Sequence, residues 1–303
     1  DGNLGTDDGN LIVNVLPVNA RPAGSDVAAI TDEDLAVQIL LPGSDVETAR
    51  GNLSFDPVLQ PSHGSLILGP SGLWTYTPDA DFNGVDSFTY TATDRGDPDG
   101  AGGNALTSPA STVTITVRPI NDAPRFGTIT SPTVDEGQTL SFQVPGSDPD
   151  GNTLTYSLVG AAVPGASIHA STGVLTYVAA DGALAVPFTV RVSDGVTSTD
   201  ASFDVIVNNV APSITLTGAS SIDVGLPYTI SFSATDPGQD TISGWLVRWG
   251  DGSTQNLAGT ATGATRSYSI GGNFSVTVTA TDEDGSFMSA PLAVHAIAPN
   301  RAP

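Results

Sequence analysis

The residues best equipped for chemistry in this chain are its aspartates. Asp148 and Asp150 stand two apart in SDPDG, Asp94, Asp194 and Asp282 each close an alternating apolar run, and Asn121 with Asp122 lies between two such runs. Carboxylates at i and i+2 of an extended loop can face one side and share a hard cation. Calcium suits such a set, because it takes 6–8 oxygens at about 2.3–2.6 Å from carboxylates, amides and backbone. The same residues also make plain turns, since Asp and Asn side chains bond the nearby backbone, and an acidic surface keeps a secreted chain in solution. SDPDG is not an EF-hand, because Gly151 comes too early in the loop for that motif.

Other chemistries are poorly supplied. The chain has no Cys, which removes disulfides, thiol catalysis and zinc-thiolate sites. Its three histidines, His63, His169 and His295, are far apart, and no Gly-x-Ser-x-Gly elbow is present. The reading is therefore not an enzyme. Nine basic residues, all Arg, face 32 acidic ones, all Asp but for Glu33, Glu47, Glu136 and Glu283, giving a net charge of −23. Phosphate recognition rests on clustered Lys and Arg, so nucleic acid is excluded as a partner. No apolar run reaches the ~18 residues of a membrane span, so no membrane insertion is expected in this segment. Asp1–Asn10 lacks the basic and apolar regions of a signal peptide, so a leader was removed or the chain is a piece of something longer.

The elements that must position the aspartates show as repeats. Junctions ending in Pro recur as VNARP at Pro22, INDAP at Pro124, NNVAP at Pro212 and PNRAP at Pro303, separated by 102, 88 and 91 residues. Between them the apolar residues alternate with period two, as in Val113, Ile115, Val117, then Phe188, Val190, Val192, then Phe274, Val276, Val278. That period marks half-buried strands, and no segment sustains a period of 3.6. With 34 Gly and 22 Pro punctuating the runs, the fold class is all-β: three tandem immunoglobulin-like sandwiches at residues 19–120, 121–208 and 209–303, forming an elongated rod. Trp74, Trp245 and Trp249 either fill these cores or expose a polymer-binding face. Residues 1–18, with Leu11–Pro17 alternating like Val113–Pro119, read as the last strand of a preceding repeat or as a donor strand completing a sheet in another subunit.

The repeats resemble known families. SHG at Ser62–Gly64, YTPDADFNGVDSFTYTATD from Tyr76 and VRPINDAP make the first similar to bacterial cadherin-like repeats of the tandem-95 kind. VDEGQTLSF from Val134, SDPDGNTLTY from Ser147 and VRVSDG from Val190 make the second similar to dystroglycan-type cadherin-like domains. VRWGDGS from Val247 and YSIGGNFSVTVTATDEDG from Tyr268 make the third resemble a PKD domain, with Arg248 departing from the usual motif.

Those resemblances imply an extracellular or cell-surface bacterial protein, a spacer, adhesin stalk or filament, with calcium at its joints. The first joint would draw on Glu33, Asp79 or Asp81, Asn121, Asp122, Asp148, Asp150 and Asp194. The second would rest on Asn209, Asp236, Asp240 and Asp282, helped by Glu136 or Asp181, although Asn208–Asn209 stands where the family has Asn-Asp. Before Pro22 only Asp45, Glu47 and Asp94 are left, and Arg21 is expected to pair with them in place of a cation. The implied partners are neighbouring repeats, copies of the chain, or a surface or matrix polymer. Two alternatives stay open: a self-assembling fibre or sheath joined through residues 1–18, and a carbohydrate-binding accessory region of a secreted hydrolase with Trp245 on its surface.

Overall fold

Strand alternation translates directly into buried and exposed faces. Along Ser111–Arg118, for example, Ser111, Val113, Ile115 and Val117 are buried and the residues between them are exposed. The computed structural model describes residues 18–69, 73–97, 99–100, 103–182 and 184–299. The strand expected at residues 1–18 lies, apart from Val18, outside them. The chain divides into two units, 1–122 and 123–303.

In the first unit one sheet runs in the order Val27–Asp32, Ser111–Arg118, Gly84–Thr93, Ser54–Leu59, and the other in the order Val37–Leu40, Leu73–Pro78, Gly64–Leu68. Val27–Asp32 pairs parallel with the last strand, and the remaining pairs are antiparallel. Trp74, Tyr76, Phe88, Tyr90 and Ile115 fill the space between the sheets. Asp86 is buried and accepts hydrogen bonds from the Ser62, His63 and Ser87 amides, the Ser62 hydroxyl and the Tyr76 hydroxyl. Burial acts to raise its pKa, but these donors outweigh burial and hold the carboxyl below its usual range. Burial, with the Asp86 charge, pushes the Tyr76 hydroxyl well up.

The second unit contains two sandwiches built on the same plan, each with its own core. In one, Thr133–Asp135 runs parallel to Ser198–Asn208, followed by Leu184–Ser193 and Thr155–Leu158. In the other, Ser221–Asp223 runs parallel to Leu292–Ile297, followed by Gly272–Thr281, Gly244–Arg248 and Thr254–Ala258. Each of the three sandwiches thus supplies its own last strand.

Parity decides burial in the third sandwich as well: Trp245, Val247 and Trp249 all point inward, at 4%, 0% and 1% exposure. The expectation of Trp245 on a surface is corrected, because Phe232 of the facing sheet packs on its ring at 4.7 Å between centroids and the Gly259 carbonyl accepts its indole N–H. Trp74 is buried too. Among the described residues no helix is long and apolar enough to cross a membrane.

Three long strands, Gly84–Thr93, Leu184–Ser193 and Gly272–Thr281, each stop immediately before an aspartate: Asp94, Asp194 and Asp282. The plan therefore delivers an aspartate to the same end of each sandwich, its head, where the chain enters. The opposite end, the tail, carries the residue after the first parallel strand. There Glu33, Glu136 and Val224 occupy equivalent places, their amides donating to the Arg118, Asn208 and Ile297 carbonyls at 3.0 Å each.

Candidate cation site between the second and third sandwiches

Glu136 is fully buried at the tail of the second sandwich. Its Oε1 accepts the Val210 amide of the linker at 2.6 Å, and its Oε2 has no hydrogen-bond partner. Backbone closes around that oxygen: a Cβ on Gly182 would lie 2.4 Å from Oε2, and one on Gly238 2.6 Å. The adjoining Gly137 has φ of +72° and passes so close to the Pro237 carbonyl that a Cβ would meet it at 2.4 Å. The Gln239 amide of the third sandwich donates to the Ala180 carbonyl of the second at 2.9 Å. These contacts bring the tail of one sandwich against the head of the next.

The head contributes more carboxylates. Asp236 spends Oδ1 on the Gly238 amide, and Asp282 spends Oδ1 on the Asp284 and Gly285 amides. Their Oδ2 atoms, and both oxygens of Asp240, are buried without a hydrogen-bond partner. One oxygen from each of Glu136, Asp181, Asp240 and Asp284 falls within 4.8 Å of the others, and Asp236, Asp240 and Asp282 form a second such group. Asp240 belongs to both.

Burial, then the charges of Glu136, Asp236, Glu283 and Asp284, push the Asp240 carboxyl up to about 7. The ion pairs Arg95–Asp99, Arg118–Asp32, Arg191–Asp200 and Arg266–Asp251 include none of these carboxylates. The donor set is all oxygen, with no His or Cys, which is what a hard divalent cation takes and a softer metal does not. Unmade hydrogen bonds on buried carboxylates are costly, so converging acids of this kind fit a cation between them.

The other expected ligands distribute differently. Asn209 Nδ2 donates to Asp284 Oδ2 at 2.9 Å and so positions that carboxylate. In the first unit Glu33 is buried and accepts the Ile120 amide and Asn83 Nδ2. Asp34, Asp81 and Asp122 bring one oxygen each within 4.8 Å, while Asn121 Nδ2 donates to the Asp122 carbonyl. Asp79 joins no group of three among the described residues; its amide donates to the His63 carbonyl.

In the second unit Asp148 Oδ1 accepts the Asp150 and Asn152 amides. Asp194 accepts the Val196 and Thr197 amides and the Thr197 hydroxyl, the bonds of a local turn. Neither Asp148 nor Asp194 joins a group of three among the described residues. At the first head, Arg21 corrects expectation: it donates to the Thr107 carbonyl at 2.6 Å, and Asp94 is served by Asn19 Nδ2 and the Gly96 and Leu106 amides instead. Asp34 and Asp284 are members of these groups that the sequence reading misses. The i, i+2 spacing of Asp282 and Asp284 is the available signal for the latter.

Three immunoglobulin-like sandwiches in tandem, with an acidic joint between the last two, define a modular repeat protein built from domains of a typically non-catalytic type. Comparison with known families agrees: residues 14–119 match the bacterial cadherin-like domain, 121–208 the bacterial Ig domain and 209–294 the PKD domain. The chain is thus a run of cadherin-like and Ig-like repeats followed by a PKD domain. It is 34% identical over 135 residues to chitinase A of Pseudoalteromonas piscicida, a match covering 42% of this chain and 16% of that protein. Among solved structures, human protocadherin-24 EC1-2 is 16% identical, with 60% of this chain and 100% of that one covered at a TM-score of 0.34. The PKD1 domain of the Vibrio cholerae metalloprotease PrtV is 26% identical, with 29% and 98% covered at a TM-score of 0.24.

Proposed function

We propose that this chain is a calcium-dependent structural or adhesive repeat region of an extracellular or cell-surface bacterial protein, in which the joint between the second and third sandwiches is locked by calcium. The observation that carries the reading is the convergence of five buried carboxylate oxygens without hydrogen-bond partners, from Glu136, Asp236, Asp240 and Asp282. Glu136 and Asp181 belong to one sandwich and Asp236, Asp240, Asp282 and Asp284 to the next, so a shared cation resists bending and separation of the two. The same acids without a cation repel one another and loosen the joint. Calcium rather than magnesium suits the count of oxygens and their supply from loops without a fixed octahedral arrangement. The Asp34, Asp81 and Asp122 group of the first unit is a second candidate of the same chemistry.

Neighbouring repeats, copies of the chain or a matrix polymer are the partners such a spacer serves. Isothermal titration of the chain with calcium and with magnesium tests the reading; the expected result is calcium binding at micromolar affinity with magnesium at least about tenfold weaker. Absence of calcium binding, with no effect of chelator on the melt, would overturn it.

A second reading, an accessory region of a secreted hydrolase, is favoured by the likeness to chitinase A. It does not run through tryptophan platforms, since all three tryptophans are buried. Strand donation through residues 1–18 is tested by deleting them: an unchanged oligomeric state ends that alternative.

A further inference from the structure

The outward face of the third sandwich is polar around Arg248. Gly244–Arg248 sets Arg248 opposite Thr254 on one side and Thr277 on the other. Opposed residues share a face and alternate residues return to it, so Ser275 and Thr279 lie there too. At the end of this strand Gly250 and Gly252 take φ of +83° and +88° and turn the chain aside. A surface depression of about 380 Å³ opens beside Arg248, bounded by Ser253, Thr254, Ser275 and Thr277. Its shape depends on Gly250, where a Cβ would sit 2.6 Å from the Ser275 backbone nitrogen.

Arg248 meets a hydroxyl and not an acid. Arg95, Arg118, Arg191 and Arg266 each meet an aspartate, whereas Arg248 is exposed and donates from Nη1 to the Thr279 hydroxyl at 3.1 Å. The acid of the adjoining loop, Asp251, does not compete for it. Asp251 is held by Arg266 at 2.6 Å and accepts the Ser253 amide and hydroxyl. Arg21 and Arg50 donate to backbone carbonyls, so what sets Arg248 apart is its place on a strand beside an open depression, among hydroxyls. A planar fork of donors matches a carboxylate in two parallel bonds, and flanking Ser and Thr hydroxyls match the ring hydroxyls of a sugar.

We infer that this face binds a uronate unit of an anionic polysaccharide, the carboxylate on Arg248 and the sugar hydroxyls on Thr254, Ser275 and Thr277. Gly250 and Gly252 leave the rim beside Arg248 without side chains, and the site is independent of the acidic joint. One shallow contact of this kind gives weak affinity, which many copies along a polymer multiply.

The test is a backbone-amide NMR titration of the full chain with trigalacturonate, in excess EGTA and at physiological ionic strength, beside neutral maltotriose. The expected result is saturable shifts confined to residues 248–254 and 275–279. Affinity should fall at least about tenfold in Arg248→Gln, and less in Thr277→Val, while both variants keep the wild-type melt. Three outcomes would overturn the proposal: no shifts up to about 10 mM ligand, equal binding of maltotriose, or binding that survives Arg248→Gln. In a parallel titration with calcium in place of EGTA, binding that appears only there and ignores Arg248 would also overturn it, and would instead place uronate on the acidic joint, leaving the cation reading standing.

Discussion

Asp240→Asn isolates the electrostatics of the acidic joint, because it removes one charge while keeping the shape of the side chain. Asp240 belongs to both carboxylate groups, and burial with the neighbouring acids raises its carboxyl to about 7. At about pH 8, without calcium, a shift of that size corresponds to roughly 4 kcal/mol of disfavoured charge, which solvent screening reduces to about 1–2 kcal/mol. The variant should therefore melt higher than wild type in EGTA, by about 3–6 °C for a unit of this size. With calcium at about 100 times its dissociation constant, wild type gains about 2.7 kcal/mol, or about 5–10 °C. If the variant binds about a hundredfold more weakly, its gain shrinks to about 0.4 kcal/mol, under about 2 °C. The assay is differential scanning calorimetry of both chains in EGTA and in calcium. The sign reversal is the signature: more stable than wild type without the cation, less stable with it. A variant that melts lower than wild type in EGTA, or that keeps the full calcium gain, refutes the reasoning.

The same carboxyl sets a pH dependence. Because its folded-state pKa lies above the unfolded one, its contribution is fully present below about pH 4 and is lost as pH rises through about 7; melts in EGTA should fall across that window at the second unit's transition, and calcium should abolish the fall. In the first unit, Asp86→Ala leaves the Ser62, His63 and Ser87 amides and the Tyr76 hydroxyl facing a buried gap. A loss of about 3–5 kcal/mol is expected by chemical denaturation, independent of calcium.

Much of the architecture can be read from residue order, because strand alternation and Pro-ending junctions are local signals. Val113, Ile115 and Val117 alternate in the sequence and are buried as the alternation requires. The placement of Asp94, Asp194 and Asp282 at strand ends is legible for the same reason. What local pattern does not carry is which acids meet. Glu136 reaches the linker because Thr133–Asp135 pairs in parallel with Ile206–Asn208, a strand far along the chain. Glu136 comes together with Asp240 at a contact where Gly137 lets the Pro237 carbonyl approach. Asn209 reads as a ligand by type, but the bond its Nδ2 gives to Asp284 Oδ2 is between residues 75 apart and no local pattern announces it. Trp245 shares a face with Trp249 by parity, but only the packing of Phe232 decides that the face is the inner one.

The tail of the third sandwich shows that the acidic joint follows position and not general acidity. The Gly225 amide donates to the Tyr268 carbonyl as the Gly137 amide donates to that of Ala179. Counting from these bonds, Val224 stands where the second sandwich has Glu136, and Ile270 where it has Asp181. Pro299 takes the place of Val210, whose amide Glu136 accepts, and has no N–H to give. Both acids and the donor are replaced together, so this tail cannot present the acidic half of a joint. Exchanging the residues tests the logic. Glu136→Val with Asp181→Ile should abolish the calcium gain in melting temperature. Val224→Glu with Ile270→Asp should leave that gain intact, because these positions lie at the far end of strand Pro227–Thr235 from Asp236. Ile270 is 65% exposed, but Val224 is half-buried and packs against the core of the third sandwich, so the second exchange should cost about 1–3 kcal/mol, read as a lower melt in EGTA. An undiminished calcium gain in the first double variant, or a gain in the second that rises well above wild type, would mean that overall charge, and not the geometry of the joint, governs the response.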